Sequence, residues 1–208
     1  MDNFFTMPLI AILRGIRPEE AADIGCALVE AGITFIEVPM NSPNPIDSIA
    51  VLHQTVGAQA TLGAGTVTKP ASCQDILQAG GQLIISPHTD PAIIQQALAL
   101  GQTPMSGFFT PTEAFTAIQA GATFLKYFPA TAGGTSLCKA LKAVLPKNIH
   151  MLAVGGITPR NMHDFMANGI AGFGLGSSLY RAGDDAEKVY KKALDFTTTY
   201  ARVKEEQS

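Results

Sequence analysis

Three ionisable residues interrupt otherwise apolar runs of this 208-residue chain: Arg14 in Ile12-Leu13-Arg14-Gly15, Glu37 in Phe35-Ile36-Glu37-Val38-Pro39, and Lys126 in Phe124-Leu125-Lys126-Tyr127-Phe128. Among aromatics an ammonium is poorly solvated, so the neutral amine is favoured and becomes a usable nucleophile for a carbonyl carbon. Lysine is rarely buried without a partner or a purpose. The same residue also fits a strand-end lysine whose stem packs while its head snorkels to water. Glu37 offers a carboxylate in an equally apolar setting, as an acid/base beside an amine or as half of a structural ion pair. Arg14 carries a planar fork suited to a carboxylate, and Thr66 in Gly63-Ala64-Gly65-Thr66 adds a hydroxyl. A surface arginine and a Gly-rich strand exit fit these two equally well.

Two Gly-rich segments, Val154-Gly155-Gly156-Ile157 and Gly174-Leu175-Gly176-Ser177-Ser178, could bring backbone N–H groups close to an anion, with a helix N-terminus adding a favourable field. Tight packing is the competing explanation. His53, His88, His150 and His163 are scattered without HxH or HExxH spacing, so no metal site is expected. No Ser/His/Asp pattern or GxSxG elbow occurs, and no cofactor is expected.

Elements that could position these residues follow from a repeating pattern. Apolar or Gly-bounded runs at 9–15, 35–40, 60–67, 83–87, 103–109, 124–130, 150–157 and 172–179 recur about every 20–26 residues, as strands buried on both faces do. Helical stretches lie between them after Pro18, Pro70, Asp90 and Thr110, and in TSLCKALKAVL and TPRNMHDFMANGI; several open on a cap or Pro and close on Gly. The phrases EAGITFIEV, QAGGQLIIS, QAGATFLKY and ANGIAGFGL share a glycine that turns a helix end into the next strand. Such alternation predicts parallel βαβ units, either a compact α/β (β/α)8 TIM barrel or a doubly wound open sheet, in one domain spanning 1–208 with short terminal extensions. In the barrel, strands two and six lie on opposite sides, so Glu37 and Lys126 can face each other across its mouth. The stretch DDAEKVYKKALDFTTTYARVKEEQS reads as a last amphipathic helix with a frayed end.

Charged residues make up 15% of the chain against a typical ~25%, which favours an oligomer that hides surface. The balance of 14 Lys+Arg against 17 Asp+Glu, without a basic cluster, gives no footprint for nucleic acid or an anionic membrane. The start MDNFFTMPLIAILRG lacks a basic n-region and a cleavage site, so a cytoplasmic protein is expected. Cys26, Cys73 and Cys138 form no CxxC and are expected to be buried, reduced thiols.

From Leu9 to about Ala182 the chain resembles the bacterial 2-keto-3-deoxy-6-phosphogluconate/2-keto-3-deoxy-6-phosphogalactonate aldolase family. The resemblance is carried by Ile10-Ala11-Ile12-Leu13-Arg14-Gly15, Ile36-Glu37-Val38-Pro39, Gly63-Ala64-Gly65-Thr66-Val67, Leu125-Lys126-Tyr127-Phe128-Pro129-Ala130, Val154-Gly155-Gly156-Ile157 and Gly174-Leu175-Gly176-Ser177. It implies a trimeric class I aldolase with Lys126 as Schiff-base lysine and Glu37 as proton carrier. Arg14 and Thr66 would hold the pyruvyl carboxylate; Gly155, Gly156, Gly176 and Ser177 would hold the distal phosphate. Products would be pyruvate and D-glyceraldehyde 3-phosphate. Val154 and Asn41-Ser42-Pro43 look like phosphogalactonate-branch choices, with a gluconate or dual-epimer enzyme as the alternative. A phosphosugar isomerase or a sensor barrel would share the fold and phosphate site without the lysine chemistry. The chain departs from the family at Met105-Ser106-Gly107-Phe108-Phe109 and at Tyr127.

Overall fold

The computed structural model describes residues 4–207. Among them, strands and helices alternate without exception: β1 Leu9–Ile12, α1 Pro18–Glu30, β2 Phe35–Pro39, α2 Pro45–Val56, β3 Thr61–Gly65, α3 Ser72–Gln78, β4 Leu83–Ile85 and α4 Pro91–Ala99 form the first half. The second half is β5 Thr103–Phe108, α5 Pro111–Gln119, β6 Phe124–Tyr127, α6 Ala130–Val144, β7 His150–Val154, α7 Met162–Ala167, β8 Gly172–Leu175 and α8 Ala186–Glu206. Each strand pairs with its sequence neighbours, and β8 pairs in parallel with β1, which closes a (β/α)8 barrel and rules out the open sheet.

Strand alternation divides the core in two. Ile10, Phe35, Leu83, Ile85, Met105, Phe124 and Leu152 pack inside the barrel together with Phe4. Residues one position away, such as Ala11, Ile36, Ile84, Leu125, Met151 and Phe173, belong to the larger shell between strands and helices. Both faces are thus buried, which is why the strands read as continuous apolar runs. Phe4 is fully buried, with its ring edge-on at 4.9 Å from Phe35 and 5.4 Å from Phe124. Because Phe35 and Phe124 are the first residues of β2 and β6, Phe4 plugs the N-terminal end of the barrel. Burying such a side chain contributes about 1.5–3 kcal/mol.

Local signals act where the sequence placed them. Gly32, Gly80, Gly121 and Gly169, the glycines of the four repeated phrases, take φ of 90°, 92°, 103° and 93°, a left-handed turn that an L side chain resists. Thr110 and Glu113 close a reciprocal capping box on α5, and the Asp90 side chain caps α4. The strands are shorter than the apolar runs: β6 stops at Tyr127 and β8 at Leu175. Beyond those points the backbone leaves the ladder into loops whose Gly, Pro and Phe residues retain an apolar character. The helix α2 has no counterpart among the segments singled out from sequence, although Ile49, Leu52 and Val56 recur on its buried face. Cys73 and Cys138 are buried, but Cys26 is exposed. α1 buries Ala21, Ile24, Gly25 and Leu28, at helical spacing, and Cys26 falls on the other side.

Candidate active site

Glu37 lies two residues after the inward Phe35, and Lys126 two after the inward Phe124, so strand alternation points both into the barrel above its aromatic floor. They line one small cavity of about 10 Å³, walled by Ile12, Ile85, Met105, Leu152 and Val154, room for about one water. Glu37 is 1% exposed and Lys126 6%. None of the ion pairs among the described residues joins them. They are therefore not a closed structural pair but two groups facing a common space.

Burial dominates the ionisation of both. Loss of solvent pushes the Glu37 carboxyl up to about 7, with Lys126, Arg14 and the Gly65 backbone N–H acting in the opposite direction. Burial lowers the Lys126 ammonium; the Glu37 carboxylate opposes that shift, and Arg14 adds to it. The Nζ of Lys126 stands 4.8 Å from the centre of the Phe128 ring, a cation–π contact that replaces part of the missing water. One Glu37 oxygen, Oε2, is buried without a hydrogen-bond partner, an arrangement that a purely structural carboxylate would avoid. Gly65, at the end of β3, makes room for it: a Cβ there would overlap both Glu37 carboxylate oxygens.

Arg14 and Thr66 come together at the neighbouring strand exits. Nη2 of Arg14 donates to Thr66 Oγ1 at 3.2 Å, and Nη1 donates to Asn41 Oδ1 at 2.5 Å. Thr66 has φ of 55°, an uncommon conformation for a β-branched residue and a mark of strain held by its surroundings. The Gly15 backbone N–H donates to Ser42 Oγ at 2.9 Å, fixing the loop after β2 to the exit of β1. The Asn41-Ser42 pair, singled out from sequence as an epimer selector, thus has both its side-chain oxygens engaged by the Arg14-Gly15 corner.

Gly155, Gly156, Gly176 and Ser177 line a second cavity of about 360 Å³, whose walls also include Arg14, Phe128 and Arg181. Its volume is that of a small-metabolite site. Ile12 and Val154 are walls of both cavities, so the two are adjoining compartments. Gly155 and Gly156 take φ of 101° and 74°, which exposes successive backbone groups that a side-chain-bearing residue would not present. A Cβ on Gly176 would meet nothing within 4 Å, so internal packing does not account for that glycine. Ser178 Oγ donates to the Ile157 carbonyl at 2.6 Å and ties the β7 and β8 exits together.

The helix start at this end is a single turn, in which the Leu179 and Tyr180 N–H groups donate to the Gly176 carbonyl at 2.8 and 3.0 Å. Ser177–Leu179 form a turn, α7 begins only at Met162, and α8 only at Ala186. The two departures from the family pattern meet each other away from the barrel axis. Phe109 stacks on Tyr127 with centroids 5.9 Å apart and planes 5° apart, while Tyr127 Oη donates to the Gly134 carbonyl at 3.1 Å. Only Met105 of that stretch reaches the inner cavity. Phe128 and Arg181 were not among the residues singled out as site members. Phe128 lies two residues beyond Lys126, just past the end of β6, within the apolar run that marked the lysine; Arg181, in a turn-rich loop, carries no comparable signal.

A family model described as KDPG and KHG aldolase matches residues 2–192. The chain belongs to the KDPG and KHG aldolase family. Two relatives of this aldolase cover nearly its whole length. A probable 2-dehydro-3-deoxy-6-phosphogalactonate aldolase of Rhizobium meliloti is 46% identical over 94% of this chain and 92% of its own. A 2-dehydro-3-deoxy-6-phosphogalactonate aldolase of Escherichia coli is 47% identical over 93% and 95%. The solved structure described as native KDPGal superposes with a TM-score of 0.94 at 45% identity, covering 96% of this chain and 97% of that one.

Proposed function

We propose that this protein is a class I aldolase that cleaves 2-dehydro-3-deoxy-6-phospho-D-galactonate to pyruvate and D-glyceraldehyde 3-phosphate in galactonate catabolism. The observation that carries the reading is the buried Lys126, its ammonium disfavoured, sharing a cavity with a Glu37 poised near neutrality. The neutral Lys126 amine adds to the C2 ketone, and loss of water leaves an iminium. Glu37, as carboxylate, takes the proton of the C4 hydroxyl while the C3–C4 bond breaks and its electron pair flows into the iminium. Glyceraldehyde 3-phosphate leaves. Glu37 returns the proton to C3 of the enamine, and hydrolysis frees pyruvate and Lys126. A carboxyl that must lose and regain a proton in each turnover works best with a pKa near 7, which is where burial puts Glu37.

Arg14 and Thr66 hold the pyruvyl carboxylate, and Gly155, Gly156, Gly176 and Ser177 hold the phosphate in the outer compartment, which Arg14 also borders. Binding energy from the remote phosphate positions the reacting carbon. Val154, shared by both compartments, offers no hydroxyl to the substrate's chiral centres, which favours the epimer that needs none there. The high identity to phosphogalactonate aldolases over almost the full chain supports this choice of epimer. The protein works as a cytoplasmic homotrimer of one-domain subunits. Low charge content and exposed apolar side chains such as Phe115, Val144 and Leu194 support an assembly that covers surface, and no helix among the described residues is long and apolar enough to cross a membrane. The test is pyruvate release from each keto-deoxy-phospho epimer under equal conditions. A kcat/KM at least ~10-fold higher for the galactonate epimer, about 1.4 kcal/mol, is expected. Release from neither would overturn the reading in favour of a sensor or isomerase.

A further inference from the structure

The groups so far assigned to the phosphate carry none of the charge that their ligand demands. The donors assigned to the phosphate, Gly155, Gly156, Gly176 and Ser177, are all neutral, and the helical turn behind Ser177, closed by the Leu179 and Tyr180 N–H groups on the Gly176 carbonyl, is only one turn long. The compartment has arginine and no carboxylate in its walls. Arg14 is committed to Thr66 and Asn41 on the β2–β3 side. The other arginine, Arg181, sits beside Ser177: its Nε donates to the Ser177 carbonyl at 3.1 Å, which orients the guanidinium from the same turn that presents the Ser177 hydroxyl.

A second set of contacts keeps Arg181 free to meet an anion. Its backbone N–H donates to Asp184 Oδ2 at 3.1 Å, fixing the loop. The Asp184 carboxylate is in turn held by Lys188 and Lys192, each at 2.6 Å, and these lysines keep it ionised far below the usual carboxylate range. Asp184 is thereby neutralised from the α8 side. Among the described residues, no ion pair includes Arg181, and its Nη groups make no hydrogen bond to protein. An oriented guanidinium with unused donors in the wall of an acid-free compartment matches the planar recognition of a phosphate.

We propose that Arg181 is a further phosphate-binding residue, supplying the counter-charge to the substrate's distal phosphoryl group while Arg14 serves its carboxylate. The assignment deepens the aldolase reading and rests on it for the identity of the substrate. Two anions at the ends of one substrate would then meet two arginines of the outer compartment, Arg14 at the β1 exit and Arg181 beyond the β8 exit.

The experiment compares wild type, Arg181→Gln and Arg181→Lys. Inorganic phosphate, titrated by calorimetry, is expected to bind Arg181→Gln about 10-fold more weakly than wild type, with Arg181→Lys between them. With the phosphorylated keto-deoxy acid, kcat/KM falls by about 10-fold or more, mostly through KM, and its decline with added salt becomes shallower. Unchanged thermal unfolding and unchanged borohydride trapping of pyruvate show that the fold and Lys126 are intact. Phosphate affinity in Arg181→Gln within about twofold of wild type would overturn the assignment. If wild type traps no pyruvate, the aldolase reading fails, and the phosphate titration still decides for or against Arg181.

Discussion

Replacing Glu37 by Gln is expected to stabilise the protein while abolishing turnover. Glu37 is 1% exposed, lacks a partner for Oε2, and has its carboxyl raised from 4.5 to about 7, chiefly by burial. Below pH 4.5 the group is protonated in folded and unfolded chains alike, so it contributes no difference there. Between 4.5 and about 7 the unfolded chain ionises and the folded chain does not; stability therefore falls as pH rises, and the loss is complete above about 7. At ~1.36 kcal/mol per pH unit, the full loss is about 3 kcal/mol. Gln is nearly isosteric and does not ionise, so the variant escapes it. Some of the gain is returned because Lys126 loses the opposing charge that favours its ammonium. A net gain of about 2–3 kcal/mol at pH 8 remains, or about 4–12 °C in Tm for a chain of this size. Urea unfolding of both proteins at pH 4.5 and pH 8 measures it, as midpoints at constant m. Equal stability at pH 4.5 with a more stable variant at pH 8 is the expected pattern. A variant less stable at pH 8 would refute the reasoning and make Glu37 a structural partner of Lys126.

Gly65→Ala places a Cβ against both Glu37 oxygens; kcat is expected to fall at least ~100-fold in a steady-state assay, since misplacing a catalytic group by about 1 Å costs that much. Asn41→Ala removes a partner that orients Arg14, so the apparent Kd for pyruvate in trapping experiments should rise by about 5–10-fold, as expected for about 1 kcal/mol of lost hydrogen bonding, while the ratio of rates on the two epimers stays unchanged. A changed ratio would restore Asn41 as a direct epimer selector. The pH profile of kcat/KM should turn on below 10.5, because burial lowers Lys126; a turn-on close to 10.5 would show a solvated amine.

The barrel was legible because its strands are buried on both faces and its helix ends carry glycines that must turn left, as at Gly32 and Gly121. Lys126 and Glu37 stood out for a related reason: an ionisable group in an apolar strand has no bland surface to occupy, whereas Arg14 lies exposed beyond the end of β1 and was marked only by the apolar run before it. What stayed hidden depends on contacts between distant segments. Asn41 reaches back 27 residues to Arg14, and nothing local marks it as that residue's partner. Arg181 lies in a turn-rich loop where a solvated arginine is ordinary, and only the pairing of Asp184 with Lys188 and Lys192 shows it to be unneutralised. That the helix start at Ser177–Leu179 stops after one turn was masked because serine suits a turn and a helix start alike. Phe4 was passed over for want of any neighbouring pattern, although it closes the barrel floor.

The central claim is that the Lys126 amine forms the covalent intermediate. Incubating the protein with pyruvate, reducing with borohydride and mapping the adduct by peptide mass spectrometry tests it most directly. One reduced pyruvyl group per chain is expected, on Lys126, and none in Lys126→Met. A label elsewhere, or an unlabelled wild-type protein, would contradict it.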